Sequence, residues 1–199
     1  CVLDGFAVQG GGIYTSGDPF HADLTNRFGG RGGGIYCRVS GPRIHSNLIR
    51  SNSLGSPVNS WESYGGGVYC YLSHAEITGN TFFENEVLTR GDGDGGGIYA
   101  LQSMATIEAN TFLQNHAING AAIYGNWSQL RVSRNLVRTN LLYTNAPSVY
   151  MGSDDGALTF RFAPDLLLDA NTVEGNTAVF GGGVCLRSCY AACVQNNVI

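Results

Sequence analysis

Lysine is absent from this 199-residue chain, and its eleven cationic side chains are all arginine, scattered with no basic cluster. Charged residues make up only 13% of the total and the formal charge is −4. A groove for nucleic acid is therefore not expected. No stretch approaches the roughly 20 consecutive apolar residues that cross a bilayer, so no membrane span is expected. The opening segment, from Cys1 to Gly10, lacks the basic start and long apolar run of a secretion signal, as a mature or trimmed chain would. None of the glycine-rich stretches is followed by Lys-Ser/Thr, which argues against a phosphate-cradling loop. The four histidines, His21, His45, His74 and His116, lie far apart, and no Ser or Cys stands in a motif beside one, so a nucleophilic triad is not expected. Only one glycosylation sequon occurs, Asn126-Trp127-Ser128.

What the chain has in abundance is repetition. A nine-residue phrase recurs as IHSNLIRSN, ITGNTFFEN, IEANTFLQN, VSRNLVRTN and LDANTVEGN, then as a shortened VQNNVI at the end. A second phrase alternates with it, a small-residue triplet followed by a β-branched residue and usually Tyr: GGGIY at Gly10, Gly32 and Gly95, GGGVY at Gly65, GAAIY at Gly120, PSVY at Pro147 and GGGVC at Gly181. One pair of phrases per repeat specifies one solenoid coil. With 43% apolar residues the chain has material for a single core, so residues 1–199 are expected to form one domain, a piece of a longer repeat array cut at both ends.

Strand alternation sorts each phrase into faces. One inward column reads Ile44, Ile77, Ile107, Val132, Leu168, Val194, and the next reads Ile49, Phe82, Phe112, Val137, Val173, Ile199. Between them an outward column, His45, Thr78, Glu108, Ser133, Asp169, Gln195, is polar throughout. Asn47, Asn80, Asn110, Asn135, Asn171 and Asn197 form a third column, and Asn52, Asn85, Asn115, Asn140 and Asn176 a fourth. Asn tolerates the left-handed backbone of a sharp bend, and its amide can donate and accept between stacked neighbours, so these columns are expected to be structural ladders. The glycine triplets read as tight corners without room for Cβ. Tyr14, Tyr36, Tyr69, Tyr99, Tyr124 and Tyr150 are expected to point outward and stack.

With Ile13, Ile35, Val68, Ile98, Ile123, Val149 and Val184 as anchors, the coils differ in length through loop insertions, and one insertion, residues 152–167, stands out of place. Cys37 and Cys70 share a column of adjacent coils and are expected to be a buried thiol pair. Cys185, Cys189 and Cys193, spaced by four without a nearby His, fit a local disulfide or simple packing better than zinc. The pairing of Cys1 is left open.

LDGFAVQGG, the GGGIYC corner and the IxxNxFxxN phrase resemble those of right-handed parallel β-helix repeat proteins of the pectin-lyase-like superfamily, in particular extracellular bacterial surface proteins. The resemblance covers the whole chain and implies an all-β, single-stranded right-handed parallel β-helix of about seven coils. It implies an extracellular, cell-surface or periplasmic location. It leaves function open, because that fold carries lyases, hydrolases, adhesins and assembly proteins. The first expectation is a noncatalytic structural or adhesive segment whose open ends meet other protein chains or further coils. The alternative is a carbohydrate-active enzyme or carbohydrate-binding module acting on polysaccharide. Its site would be the loops before the glycine corners, where Trp61, Glu62 and Tyr64 neighbour Arg90, Asp92 and Asp94. No catalytic residue and no cofactor is assigned, although the single GDGDGGG at Gly91 could present carboxylates and carbonyls to calcium.

Overall fold

The computed structural model describes residues 2–10, 30–55, 62–89, 91–142, 156–178 and 181–199. Each strand in it pairs in parallel with the equivalent strand one coil away. A seven-stranded isoleucine sheet runs through Val2–Asp4, Arg43–His45, His74–Thr78, Met104–Glu108, Gln129–Ser133, Leu167–Asp169 and Cys193–Gln195. A six-stranded phenylalanine sheet follows it in the first six coils, from Ala7–Gln9 to Thr172–Glu174, and a six-stranded tyrosine sheet precedes it, from Ile35–Arg38 to Val184–Arg187. Two shorter sheets, of four and two strands, close the circuit before the glycine corners. Seven strands in the isoleucine sheet mark seven coils, the number expected.

Registration follows the expected columns. Ile44 pairs with Ile77, Ile77 with Ile107, Ile107 with Val132 and Val132 with Leu168, all buried. Ile49, Phe82, Phe112, Val137 and Val173 stack in the same way, with the Phe82 and Phe112 rings 4.7 Å apart and nearly parallel. Val194 and Ile199, in the last coil, are 45% and 67% exposed, because a neighbour packs on only one side of them. Parallel strands covered on the inner face in this manner make one continuous apolar core.

Both asparagine ladders are present. The Asn side chains sit at the bends, buried except for the half-buried Asn176 and Asn197 that end the ladders, each Nδ2 donating to the Oδ1 of the Asn in the next coil at 2.9–3.1 Å from Asn47 through Asn197 and 2.9–3.0 Å from Asn52 through Asn176. The reason for Asn differs from the expected one. The left-handed residue of each bend is the one before it: Ser46, Gly79, Ala109, Arg134, Ala170 and Asn196 in the first ladder, and Ser51, Glu84, Gln114, Thr139 and Gly175 in the second. Asn is required for its amide, which also donates to a strand carbonyl of the preceding coil, as Asn80 does to Ile44 O at 2.8 Å.

One anchor is corrected. Val149 and Tyr150 lie outside the described residues, and the register shows Ile123 paired with Leu158 and Tyr124 with Thr159. The corner of that coil is therefore Gly156-Ala157-Leu158-Thr159. The described part of the stretch from 152 to 167 thus supplies this corner and the strand Leu158–Arg161, and is not a displaced insertion. The glycine triplets are tight in the expected way: a Cβ on Gly97 would meet Ala122 O at 2.5 Å, and Gly95 holds φ +70°.

The five described cysteines are free thiols. Cys37 and Cys70 are paired in register and buried, and the hydrogen bond with Cys37, together with burial, holds the Cys70 thiol above the ordinary range. Cys189 donates to Phe160 O at 3.3 Å, in keeping with packing in place of a local disulfide.

Candidate functional site

The loop row before the glycine corners does come together. Glu62–Tyr64 and Asp92–Asp94 form a two-stranded parallel sheet in which Glu62 pairs with Asp92, Ser63 with Gly93 and Tyr64 with Asp94. Trp61 and Arg90 lie outside the described residues. Alternation divides the rest: Glu62 and Asp92 are exposed, whereas Asp94 is buried. Asp94 Oδ1 accepts a bond of 2.7 Å from Asn119 Nδ2 in the following coil. The Asp94 carboxylate is thereby tied into the corner, and the outward acids of the pair are Glu62 and Asp92.

Tyr64 packs against Tyr99, ring centroids 4.7 Å apart and tilted by 34°. It joins a stack in which Tyr36, Tyr69, Tyr99 and Tyr124 follow one another at 5.3–5.5 Å with nearly parallel rings. These rings stand on the face away from the core, as expected. Tyr69, Tyr99 and Tyr124 are nevertheless buried, forming a separate apolar layer with Tyr64, Tyr71 and Leu101 around them. Tyr14 lies outside the described residues, and Thr159 takes the place expected of Tyr150. Burial pushes the phenols up: Tyr69 to about 12, with Arg31 acting in the opposite direction, and Tyr64 and Tyr99 further, helped by the nearby Asp94 charge. Such tyrosines are packing groups with hydroxyls held neutral, not a ring platform open to a ligand.

Among the described residues no group of three or more His, Cys, Asp or Glu stands close enough together to hold a metal ion. In the sequon, the Ser128 hydroxyl is buried with the carbonyl oxygens of Ala100 and Asn126 at 3.1 and 2.9 Å as acceptors for its one proton, so it is committed to the fold.

The parallel coils, the registered inner columns and the asparagine bends meet a family-level match over residues 66–199, to the right-handed beta helix region family. The chain belongs to that family. Comparison with curated proteins and with solved structures finds no match. Among the described residues no helix of this right-handed β-helix is long and apolar enough to cross a membrane.

Sequence reasoning missed two features of the corner between the tyrosine and isoleucine sheets. One is a short serine ladder, in which Ser103 Oγ accepts from Ser73 N at 3.1 Å and Ser128 Oγ from Ser103 N at 3.0 Å. The other is a groove of about 530 Å³ on the outer face of the isoleucine sheet, spanning the coils of His74, Met104 and Gln129. The signal for the groove was present in the spacing: from Ile35, Val68, Ile98 and Ile123 the member of the Ile44–Leu168 column lies nine positions on, but from Leu158 it is Leu168, ten positions on.

Proposed function

We propose that this right-handed β-helix is a noncatalytic structural and adhesive segment of a larger protein or assembly, displayed outside the cell, at its surface or in the periplasm. The observation that carries the reading is the use made of outward charge. Arg43 pairs with Glu76 at 3.1 Å, Arg138 with Glu174 at 3.4 Å, and Arg134 with Glu108, each pair linking two neighbouring coils. Exposed pairs of this kind contribute only about 0–1 kcal/mol each. They suit a solvated wall that must stay unreactive and soluble. The test is a product assay of the chain on uronide and neutral polysaccharides, with calcium and with EDTA. No unsaturated uronide and no new reducing ends are expected. Protease shaving of intact source cells is expected to release fragments of the chain, and retention of all of it inside the cell would refute the location.

A second reading, a carbohydrate-active enzyme, is favoured by one specific feature. Glu62 and Asp92 are exposed and directly paired on adjacent parallel strands, whose spacing of about 4.8 Å is close to the roughly 5–5.5 Å between the carboxyls of a retaining glycosidase. Product formation abolished by Asp92→Ala would establish it, and loss of product with EDTA would add calcium at the Asp92 stretch.

A further inference from the structure

The two ends of the longer isoleucine-sheet strands present different outward columns. At one end the column that passes through Thr78, Glu108 and Ser133 is polar throughout. At the other end the residues in register are His74, Met104 and Gln129. Met104 is 50% exposed there, between two polar side chains. An apolar thioether held out in water forgoes the free energy of burying it. The chain has only two methionines, so a solvated wall gains nothing by spending one in this place.

Register gives Met104 a partner of suitable chemistry. It is paired directly with His74 on the adjacent parallel strand, and both side chains point away from the core, because Ala75 and Ala105, which follow them, are buried. Both residues line the groove on this sheet. The His74 imidazole takes part in no hydrogen bond or ion pair among the described residues. On the side of the preceding coil its neighbour is Gly41, where a Cβ would lie 3.4 Å from His74 O, so no side chain fills that place in the row. Glu76 stands on the same face two residues on from His74, with its Oε2 engaged by Arg43 at 3.1 Å.

We infer that His74 and Met104 bind a soft monovalent metal ion of the copper(I) or silver(I) class, held between an imidazole nitrogen and the thioether sulfur as a bridge from one coil to the next. A thioether suits soft ions, whereas magnesium, calcium and manganese favour oxygen ligands. With bonds like those of zinc, about 2.0–2.3 Å, a nitrogen and a sulfur on opposite sides of one ion stand roughly 4.3 Å apart. Parallel strands place the roots of the two side chains about 4.8 Å apart, so both donors reach the ion without a shift of backbone. Zinc in a protein site takes three or four protein ligands. Among the described residues no group of three or more His, Cys, Asp or Glu could supply them, so coordination number selects alongside softness. Glu76 and Asp165 line the same groove and offset the positive charge that Arg131 and the ion bring to it. Ion binding of this kind goes beyond the structural and adhesive role and does not depend on it.

The test uses the 199-residue chain labelled with 13C-methyl methionine, its accessible thiols capped with N-ethylmaleimide because free cysteines would take up silver first. Only Met104 and Met151 give methyl signals, and Met104→Leu identifies which is which. Silver nitrate, a redox-inert probe for copper(I), is expected to shift the Met104 methyl and the His74 ring signals together in one saturable step, and zinc to leave both in place. His74→Ala is expected to weaken the Met104 response about tenfold or more. His74 is exposed, so this variant is expected to keep its thermal midpoint, and His74→Asn replaces it if it does not. A Met104 methyl unmoved by silver, or equal affinity with and without the imidazole, would overturn the inference. So would zinc binding as tight as that of silver, or a Met151 methyl that titrates in step with Met104, which would mark ordinary uptake by any exposed thioether.

Discussion

Asn80 places two donors on one oxygen of Asn110: its backbone N–H and its Nδ2 both donate to Asn110 Oδ1, at 2.9 and 3.0 Å. Asn110 in turn donates to Ile77 O at 2.8 Å and to Asn135 Oδ1 at 3.1 Å. The amide thus joins three coils, and each bond lies in buried surroundings where water cannot replace it. Since an orphaned buried polar group costs about 1–3 kcal/mol, Asn110→Ala is expected to lower stability by at least about 3 kcal/mol in urea unfolding. The residue before it holds φ +52°, so Ala109→Gly is expected to leave stability unchanged or raise it by up to about 1 kcal/mol. Equal losses from the two variants would refute the division of roles at the bend.

The glycine corner carries a second asymmetry. A Cβ on Gly97 would lie 2.5 Å from Ala122 O and 2.9 Å from the Phe112 ring, yet Ala122 occupies the matching place one coil on and is buried. The room for a methyl group is therefore local to that coil. Gly97→Ala is expected to cost about 1–3 kcal/mol or more through overpacking, whereas Ala122→Gly is expected to cost about 1 kcal/mol through backbone entropy. Thermal midpoints of the two single variants check the order.

Phe112 fills the middle of the core with its ring against Phe82, and nothing but apolar side chains and neighbouring strands surrounds it. Phe112→Ala is expected to cost about 3–5 kcal/mol, and Phe112→Leu clearly less. Phe112→Asp would bury an unpaired charge and is expected to abolish cooperative unfolding of the adjoining coils. Unfolding of that variant at wild-type stability would place Phe112 outside the core.

Much of this was legible because stacking converts sequence spacing into contact. Ile77 and Ile107, or Asn80 and Asn110, occupy equal positions in consecutive phrases, and parallel pairing puts them side by side. Where a coil lost its signature, reading failed: Leu158-Thr159 follows Gly156-Ala157 with neither a glycine triplet nor a Tyr, so Val149-Tyr150 looked like the better corner. The left-handed role was assigned to Asn because Asn tolerates that conformation, but propensity does not reveal that the buried amide network would claim it instead. The groove was hidden for a related reason. Asp165 is an ordinary residue in the sequence, and only the one-residue surplus before Leu168 sets it apart.

The tyrosine layer predicts a pH limit. Tyr69 is raised from its ordinary value of 10 to about 12, chiefly by burial, and Tyr64 and Tyr99 are raised by burial and by the Asp94 charge. A group whose acid form is favoured in the folded state contributes stability that is fully present below its unfolded pKa and lost as pH rises toward the folded one. The unfolded chain gives up these protons near pH 10 while the folded chain keeps them. Stability is therefore expected to hold up to about pH 9 and then fall between pH 10 and 12, each such tyrosine adding up to about 1.4 kcal/mol per pH unit to the slope. Tyr69→Phe is expected to make that fall shallower without altering its direction. Urea unfolding at stepped pH, with tyrosinate absorbance followed in the same samples, measures both. Constant stability through pH 11.5 would mean that the hydroxyls are open to water and that the tyrosine layer is not packed as a layer at all.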